Sequence, residues 1–363
     1  MILLFSINKK VLVSVTNDII TDSRVRKVCD FLSKKYNLEL IGLKSSFNNK
    51  LNRSYKVTLI NCFFKKGFFF YAEFNIKLFF IILFKKSDIL LSNDLDTLLP
   101  NYLASLLKKN KIVYDSHEYF TETPELYDRV FVRKIWLMIE SFILPKLKFT
   151  YTVSNSIAKS YNEKYKINMK VIRNCPNPYK LTKTKKHNKT IIFQGNITLG
   201  RGLEIMIKTL KFLPEFDFVV IGSGLGLDNL KILANEEKVA DRVFFQGRVS
   251  SEKLHKYTQE ASLGVLFEED LGLSFKYSLP NKLFDYIHAE IPVLASPLPE
   301  VKKIISKYNI GLCLKNRNPK EIAEQILEMF SKKHNYNFQQ AKKDFNWINE
   351  AKVLDKLFRR IFS

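Results

Sequence analysis

The stretch Leu273–Glu300, LSFKYSLPNKLFDYIHAEIPVLASPLPE, reads as loop, helix and buried strand. Pro280 suits a first helical turn, where a missing N–H costs nothing. Leu283, Phe284 and Ile287 recur at helical spacing, and residues 292–295, PVLA, read as a short buried strand. The free amides of that first turn carry partial positive charge. Lys282 stands among them, where the dipole disfavours a cation unless an anion such as a phosphate binds as well. Asp285 lies one turn further on, within reach of a sugar diol. A phosphate grip beside a carboxylate outlines a nucleotide-sugar site. A buried α/β crossover with a solvated Lys and Asp is the alternative that these residues leave open.

The rest of the composition sets bounds on that choice. A chain of 363 residues predicts two domains, since domains usually run ~100–200 residues, and 46% hydrophobic residues supply their cores. Cys29, Cys62, Cys175 and Cys313 are far apart and form no C-x-x-C, which argues against a zinc framework or a disulfide scaffold and for a reducing cytoplasm. Residues 1–7 are apolar but shorter than a signal-peptide core. A formal charge of +23 is compatible with nucleic acid, an anionic membrane or phosphorylated substrates. The lysines are spread along the chain and no nucleic-acid recognition module is present, so no nucleic-acid partner is expected.

In the first half, residues 11–15 form a buried strand, followed by a polar loop and a helix with Val25, Val28, Cys29 and Leu32 on one face. No G-x-G-x-x-G follows this strand, so nothing marks a dinucleotide cofactor. Asp22 and Arg24 lie beyond a strand end, where an open α/β sheet places ligands; capping and loop polarity account for them equally well. Residues 63–86, FFKKGFFFYAEFNIKLFFIILFKK, are packed with aromatics between Lys pairs. Read as a helix, they place Phe70, Phe74, Lys77 or Leu78, and Ile81 on one side. Either a core helix or an in-plane contact with an anionic membrane surface fits them. Asp94 and Asp96 are read as helix capping rather than as metal ligands. His117 is the catalytic candidate of this half, because it follows the strand 111–115 directly, with Glu118 beside it.

Residues 174–189, with two prolines and a basic run, read as a linker. The α/β pattern then restarts. Strand 190–194 leads through Gly195, Asn196, Arg201 and Gly202 into a helix, and strand 218–221 leads into the glycine turn Gly222-Ser-Gly224. Glycine permits close backbone approach and Arg201 suits bidentate phosphate binding. Glu268, Glu269 and Asp270 read as an acidic loop. Residues 347–362 read as a last amphipathic helix.

Residues 280–286, PNKLFDY, and 291–296, IPVLAS, resemble the donor-binding segment of glycosyltransferase family 4, in a bacterial subgroup with a PNKLF[DE]Y helix. VYDSHE at 113–118 is similar to that family's strand-end His. The resemblance runs over nearly the whole chain. It implies an α/β, GT-B fold: two Rossmann-like domains facing a central cleft. The expected divisions are 1–175 (acceptor side), 176–189 (linker), 190–345 (donor side) and 346–363 (a helix returning to the first domain). It implies a retaining transferase that needs no metal and no cofactor and moves a sugar from a nucleoside-diphosphate sugar to a glycan or lipid-linked acceptor in cell-surface polysaccharide or glycolipid assembly. Such an enzyme would be cytoplasmic, peripheral on the inner face of the membrane. His117, Arg201 and Lys282 take catalytic roles by this resemblance. Gly195, Asn196, Gly202, Gly222, Gly224, Val249, Asn281, Leu283 and Asp285 contact the donor; Asp22, Arg24 and Glu118 lie on the acceptor side. Tyr277 stands where the family usually has a first acid, and Glu290 where it favours Gly. Two other readings stay open: a different GT-B enzyme such as a nucleotide-sugar epimerase, and a non-enzymatic polyanion-binding protein.

Overall fold

The computed structural model describes residues 9–44, 52–181, 189–332 and 334–362. The apolar residues 1–7 and the linker residues 182–188 lie outside the described residues. The chain divides into two compact units, one of residues 1–174 with 350–363 and one of residues 175–349.

The first unit holds a seven-stranded parallel sheet in the order β3-β2-β1-β4-β5-β6-β7. Its strands are β1 (Lys10–Val15), β2 (Asn37–Leu43), β3 (Lys56–Ile60), β4 (Ile89–Asn93), β5 (Lys111–Ser116), β6 (Phe149–Thr152) and β7 (Lys170–Val171). Val11 and Val13 are fully buried, and β1 is apolar almost throughout because helices cover both faces of a parallel sheet. β3 escaped the sequence reading. It is an edge strand whose Lys56 and Leu59 are exposed, so its apolar run is too broken to stand out.

Helix α1 (Ser23–Leu32) is capped by Asp22, whose carboxylate accepts from the Val25 amide at 2.9 Å. Helix α2 (Gly67–Phe84) packs Phe70, Phe74, Leu78 and Ile82 into the core. Ile82, one residue on from the expected Ile81, completes that row, because the row follows strict i, i+4 steps. Helices α3 (Leu98–Lys108), α4 (Val130–Ile143) and α5 (Asn155–Tyr165) follow β4, β5 and β6. The strand order reverses direction between β1 and β4, and the carboxyl ends of β1, β4 and β5 meet there. An open α/β sheet leaves a crevice at such a switch point.

The second unit holds a six-stranded parallel sheet in the order β10-β9-β8-β11-β12-β13. The strands are β8 (Thr190–Gln194), β9 (Asp217–Ile221), β10 (Val243–Gly247), β11 (Leu263–Leu266), β12 (Val293–Ala295) and β13 (Gly311–Cys313). Its switch point falls between β8 and β11. Helix α6 (Leu203–Thr209) follows β8, α7 (Leu227–Glu236) follows β9 and α8 (Ser251–Glu260) follows β10. Helix α9 (Asn281–Ala289) leads into β12, as the opening stretch predicts. Pro280 stands just before this helix as its N-cap, not inside the first turn: its ψ of 132° is extended, and only from Asn281 does the chain turn helical. The helix ends at Glu290 with φ of 55°, a left-handed conformation that explains the preference for Gly at this place. Lys342 at 2.7 Å holds the Glu290 carboxylate.

The last helix, α10 (Trp347–Arg359), counts with the first unit from Glu350 onward. Asp355 pairs with Lys35 at 2.6 Å, Glu350 with Arg173 at 3.2 Å, and the Phe358 ring lies 5.8 Å from that of Tyr36. Residues 175–181, expected as linker, count with the second unit, where Cys175 is buried in the core and Tyr179 packs on His255.

Candidate functional site

Each unit carries a polar cluster at its switch point. In the first, β5 runs out into Ser116, His117 and Glu118. The His117 amide donates to the Asp94 carboxylate at 2.8 Å. Its Nδ1 lies 3.1 Å from Asp94 Oδ2, and its Nε2 lies 3.3 Å from Asp115 Oδ2 and 3.2 Å from Asn93 Oδ1. Asp94 reaches this position with φ of 57°, a conformation uncommon for a residue with a side chain and one that clusters at functional sites. Burial disfavours a charged imidazole, but the Asp94 and Asp115 carboxylates outweigh it and hold the His117 pKa well above its ordinary value. The two carboxylates thus favour the charged imidazole and engage both of its ring nitrogens.

Asp115 is fully buried because Arg24 answers it. The guanidinium bonds Asp115 through Nη2 at 2.6 Å and Nε at 3.0 Å, and Nη1 donates to the Ile172 carbonyl at 2.8 Å. This corrects the expectation for Arg24. It is 4% exposed and its donors are spent on the framework, so it orients Asp115 and does not meet an acceptor. Asp22 spends one carboxylate oxygen on the helix cap and accepts from Asn17 with the other. Glu118 remains exposed at the rim. Asp96 is buried and accepts from the Thr16 hydroxyl. Burial, and then the nearby Asp94 charge, push its pKa up to about 7.

In the second unit, the loops after β8 and β9 lie backbone on backbone. The Gly195 amide donates to the Ile221 carbonyl at 2.9 Å and the Ile197 amide to the Ser223 carbonyl at 3.0 Å. A Cβ at Gly222, whose φ is 143°, would stand 1.8 Å from the Gly195 carbonyl oxygen. A Cβ at Gly202 would stand 2.3 Å from that of Phe267. These glycines are required by close approach as well as by their dihedrals. Gly224 lies on the same loop, and Gly195 and Asn196 are exposed at its mouth.

Beside this loop pair, Lys282 Nζ lies 2.7 Å from Glu268 Oε1 and 3.8 Å over the ring of Phe193. Burial lowers the lysine's pKa, and the Glu268 charge opposes that fall. Arg201 Nη1 lies 3.9 Å from the same Glu268 oxygen, its guanidinium stands 5.0 Å from the Phe275 ring centroid, and its Nε is buried with no hydrogen-bond partner among the described residues. Asp285 accepts from Gln194 Nε2 at 2.6 Å, and Thr258 fixes that amide by donating to Gln194 Oε1 at 2.8 Å.

One expectation changes here. Leu283 is 0% exposed in the core, so its side chain has no surface to offer a donor; it anchors the helix that carries Lys282 and Asp285. The acidic run is a loop, as expected, but its carboxylates are all paired. Glu268 is 2% exposed and ion-paired, while Glu269 bonds Arg317 at 3.0 Å and Asp270 pairs with Lys276 at 3.1 Å. The available signal was an acid placed directly after a buried strand, at a strand's carboxyl end. Val249 is half-buried against the core, Asn281 is exposed at the helix start, and Tyr277 is half-buried after the short helix Leu273–Lys276. The second cluster thus combines a neutralised Lys–Glu pair, a further guanidinium and helix N-terminal amides, an arrangement suited to an anion with more than one phosphate.

Comparison with known proteins bears on the second unit and on the fold. Residues 180–352 match the family model described as Glycosyl transferases group 1. An uncharacterized glycosyltransferase of Haemophilus influenzae is 24% identical over 182 residues, which is 48% of this chain and 49% of that protein. The chain thus spans about half the length of the curated relative it matches. A Rickettsia africae glycosyltransferase structure aligns with a TM-score of 0.74 at 16% identity over 98% of this chain and 99% of that one. Sucrose-phosphate synthase from Thermosynechococcus elongatus gives 0.76 at 14%, over 98% and 99%. HepE of Anabaena, solved in complex with UDP and glucose, gives 0.77 at 11%, over 97% and 100%. At these identities the likeness speaks for the fold, which is GT-B.

Proposed function

We propose that this chain, whose residues 180–352 match the family model described as Glycosyl transferases group 1, moves a sugar from a nucleoside-diphosphate sugar to an acceptor hydroxyl with retention of configuration and without a metal. The observation that carries the reading is the second unit's cluster: a glycine loop pair, the half-satisfied Arg201 and the Lys282–Glu268 pair at the head of α9. HepE binds UDP and glucose on the same fold, which supports the same donor class here.

In this reading Arg201, Lys282 and the first amides of α9 stabilise charge as it develops on the departing diphosphate. Preorganised cations supply what a metal supplies elsewhere. Asp285, oriented by Gln194, accepts from the ribose hydroxyls. The leaving phosphate takes the acceptor proton, so no separate base is assigned. In the first unit His117, both of whose ring nitrogens are engaged by Asp94 and Asp115, contributes through its charge and its fixed place at the strand end. The acceptor is a glycan or a lipid-linked glycan, and the enzyme works on the cytoplasmic side in surface-polysaccharide or glycolipid assembly.

The test is a thermal-shift screen of UDP-, GDP-, ADP- and dTDP-sugars, since a ligand of the native state raises its melting temperature. The best stabiliser is then assayed for transfer with and without EDTA, and the anomeric proton coupling of the product is read by NMR. Stabilisation by one nucleotide class and an EDTA-insensitive, retained product are expected. An altered sugar nucleotide released without any acceptor would instead favour an epimerase.

A further inference from the structure

The first unit carries an apolar plate that its core does not use. Helices α2, α3 and α4 join β3 to β4, β4 to β5 and β5 to β6, always stepping the same way across the sheet. Right-handed crossovers therefore lay all three on one face. They touch one another: Tyr71 stacks edge-on against Trp136 at 5.5 Å, Tyr102 against Phe142 at 6.1 Å, and Lys108 Nζ donates to the Ile82 carbonyl at 2.8 Å.

Their outward sides are hydrophobic. On α2, Phe69, Ile76, Phe80 and Phe84 are exposed opposite the buried row, so this helix is apolar on both faces, with Glu73 and Lys77 paired between them. It is long and apolar enough to cross a bilayer by length and composition, yet Phe70, Phe74, Leu78 and Ile82 fasten it along the sheet. On α3, Leu106 and Leu107 are exposed; on α4, Phe131, Met138 and Phe142 are. Phe84 is 82% and Phe131 76% exposed, which isolated surface hydrophobics do not require. Exposed apolar side chains on three helices that pack against one another make this face an interaction surface.

The charge around the plate selects its occupant. Residues 65–86, 103–111 and 129–148 hold thirteen Lys and Arg against two acids, Glu73 and Glu140. Glu73 is tied to Lys77 at 2.5 Å and Glu140 is buried among Thr121, Tyr161, Tyr165 and Lys164. The basic residues Lys65, Lys66, Lys86, Lys109, Lys134 and Lys148 are exposed around the apolar side chains. A second copy of this chain would bring two such cationic rims together in a protein of charge +23. An anionic bilayer answers both the apolar centre and the basic rim.

We propose that the outer faces of α2, α3 and α4 dock in the plane of an anionic lipid bilayer, with their aromatic and aliphatic side chains in the acyl boundary and their lysines among the headgroups. The polar cluster adjoins this plate. Asp94 stands four residues before the start of α3 and holds the His117 amide at 2.8 Å. Docking therefore brings the Asp94–His117 cluster near headgroup depth, where a lipid-linked acceptor is presented. That consequence rests on the transfer reading; the docking itself does not.

The experiment is flotation of the full chain with phosphatidylcholine vesicles, with and without phosphatidylglycerol. Partition onto the anionic vesicles and its loss in high salt are expected. The variants F69D/F80D and Phe131→Asp should each lower partition by about tenfold or more, since each withdraws apolar surface from lipid and adds an opposing charge. Ile232→Asp, on the second unit, should leave it unchanged. Circular dichroism melts show that the variants fold, and gel filtration of each variant reads self-association. Equal partition of wild type and plate variants would overturn the proposal. So would absence of binding to anionic vesicles, or a dimer that the plate variants dissociate. Nucleotide-sugar stabilisation is measured on the same variants and should persist. Its loss in the wild type would count against the transfer reading and leave the docking result standing.

Discussion

Glu268 and Lys282 face each other at 2.7 Å inside the second unit, both less than a tenth exposed, one at the end of a strand and the other in the first turn of a helix. Burial lowers the lysine's pKa, and the carboxylate opposes that fall. Glu268→Gln removes that support and leaves a buried ammonium. It should cost about 3–5 kcal/mol of unfolding free energy, as breaking a buried pair does. The double variant E268Q/K282M should recover most of that stability while still binding nucleoside diphosphate weakly. Denaturant melts of wild type, E268Q, K282M and the double variant, with a diphosphate titration of each, check the cycle. A double variant as unstable as E268Q would dissolve the pairing argument.

Arg201 offers the second unit's incompletely satisfied guanidinium. Arg201→Ala should lower kcat/KM for the sugar nucleotide by about 10²-fold, because it withdraws charge-assisted hydrogen bonds from the leaving group. Arg201→Lys should restore only part, since an ammonium lacks the paired donors. Steady-state kinetics with varied donor decide this. Wild-type values in the alanine variant would remove Arg201 from the diphosphate.

Asp96 and His117 make the first unit's stability fall as pH rises. Burial and Asp94 lift the Asp96 carboxyl to about 7, so the native state keeps a proton that the unfolded chain loses near ~4. Stability should therefore decline between about pH 4 and 7, by up to roughly 4 kcal/mol from this group. His117 adds to the same direction. Its folded pKa lies well above the unfolded value, so its contribution is complete below ~6.5 and is lost as pH climbs through the folded pKa. Asp96→Asn keeps an acceptor for Thr16 and should flatten the acidic part of the slope. Urea midpoints measured across that pH range are the readout, and an unaltered slope would contradict the assignment.

Lys166 ends helix α5 with φ of 56° and is exposed. Gly adopts that conformation without a Cβ penalty. Lys166→Gly should stabilise the protein by about 0.5–1 kcal/mol, a rise of roughly 1–3 °C in Tm. Calorimetry checks it, and a lowered Tm would mean that the lysine side chain contributes more than the left-handed strain costs.

Sequence by itself determined the alternation of buried strands and amphipathic helices in both units, the helix that carries Lys282 and Asp285, the glycine turns, and the strand-end place of His117. These are local facts: a run of valines, a helical spacing or a cap is complete within a few residues. The tertiary structure decided the partners. Arg24 is spent on Asp115, His117 is flanked by Asp94 and Asp115, and Glu268 of the acidic loop is buried against Lys282. It also decided that α2, whose aromatics read alike on every side, packs Phe70, Phe74, Leu78 and Ile82 and leaves Phe69, Phe80 and Phe84 exposed. Such outcomes depend on which strand ends and which helix faces the sheet order brings together. The strength of a charge depends on its burial and on neighbours that lie far off along the chain, and no local pattern encodes either.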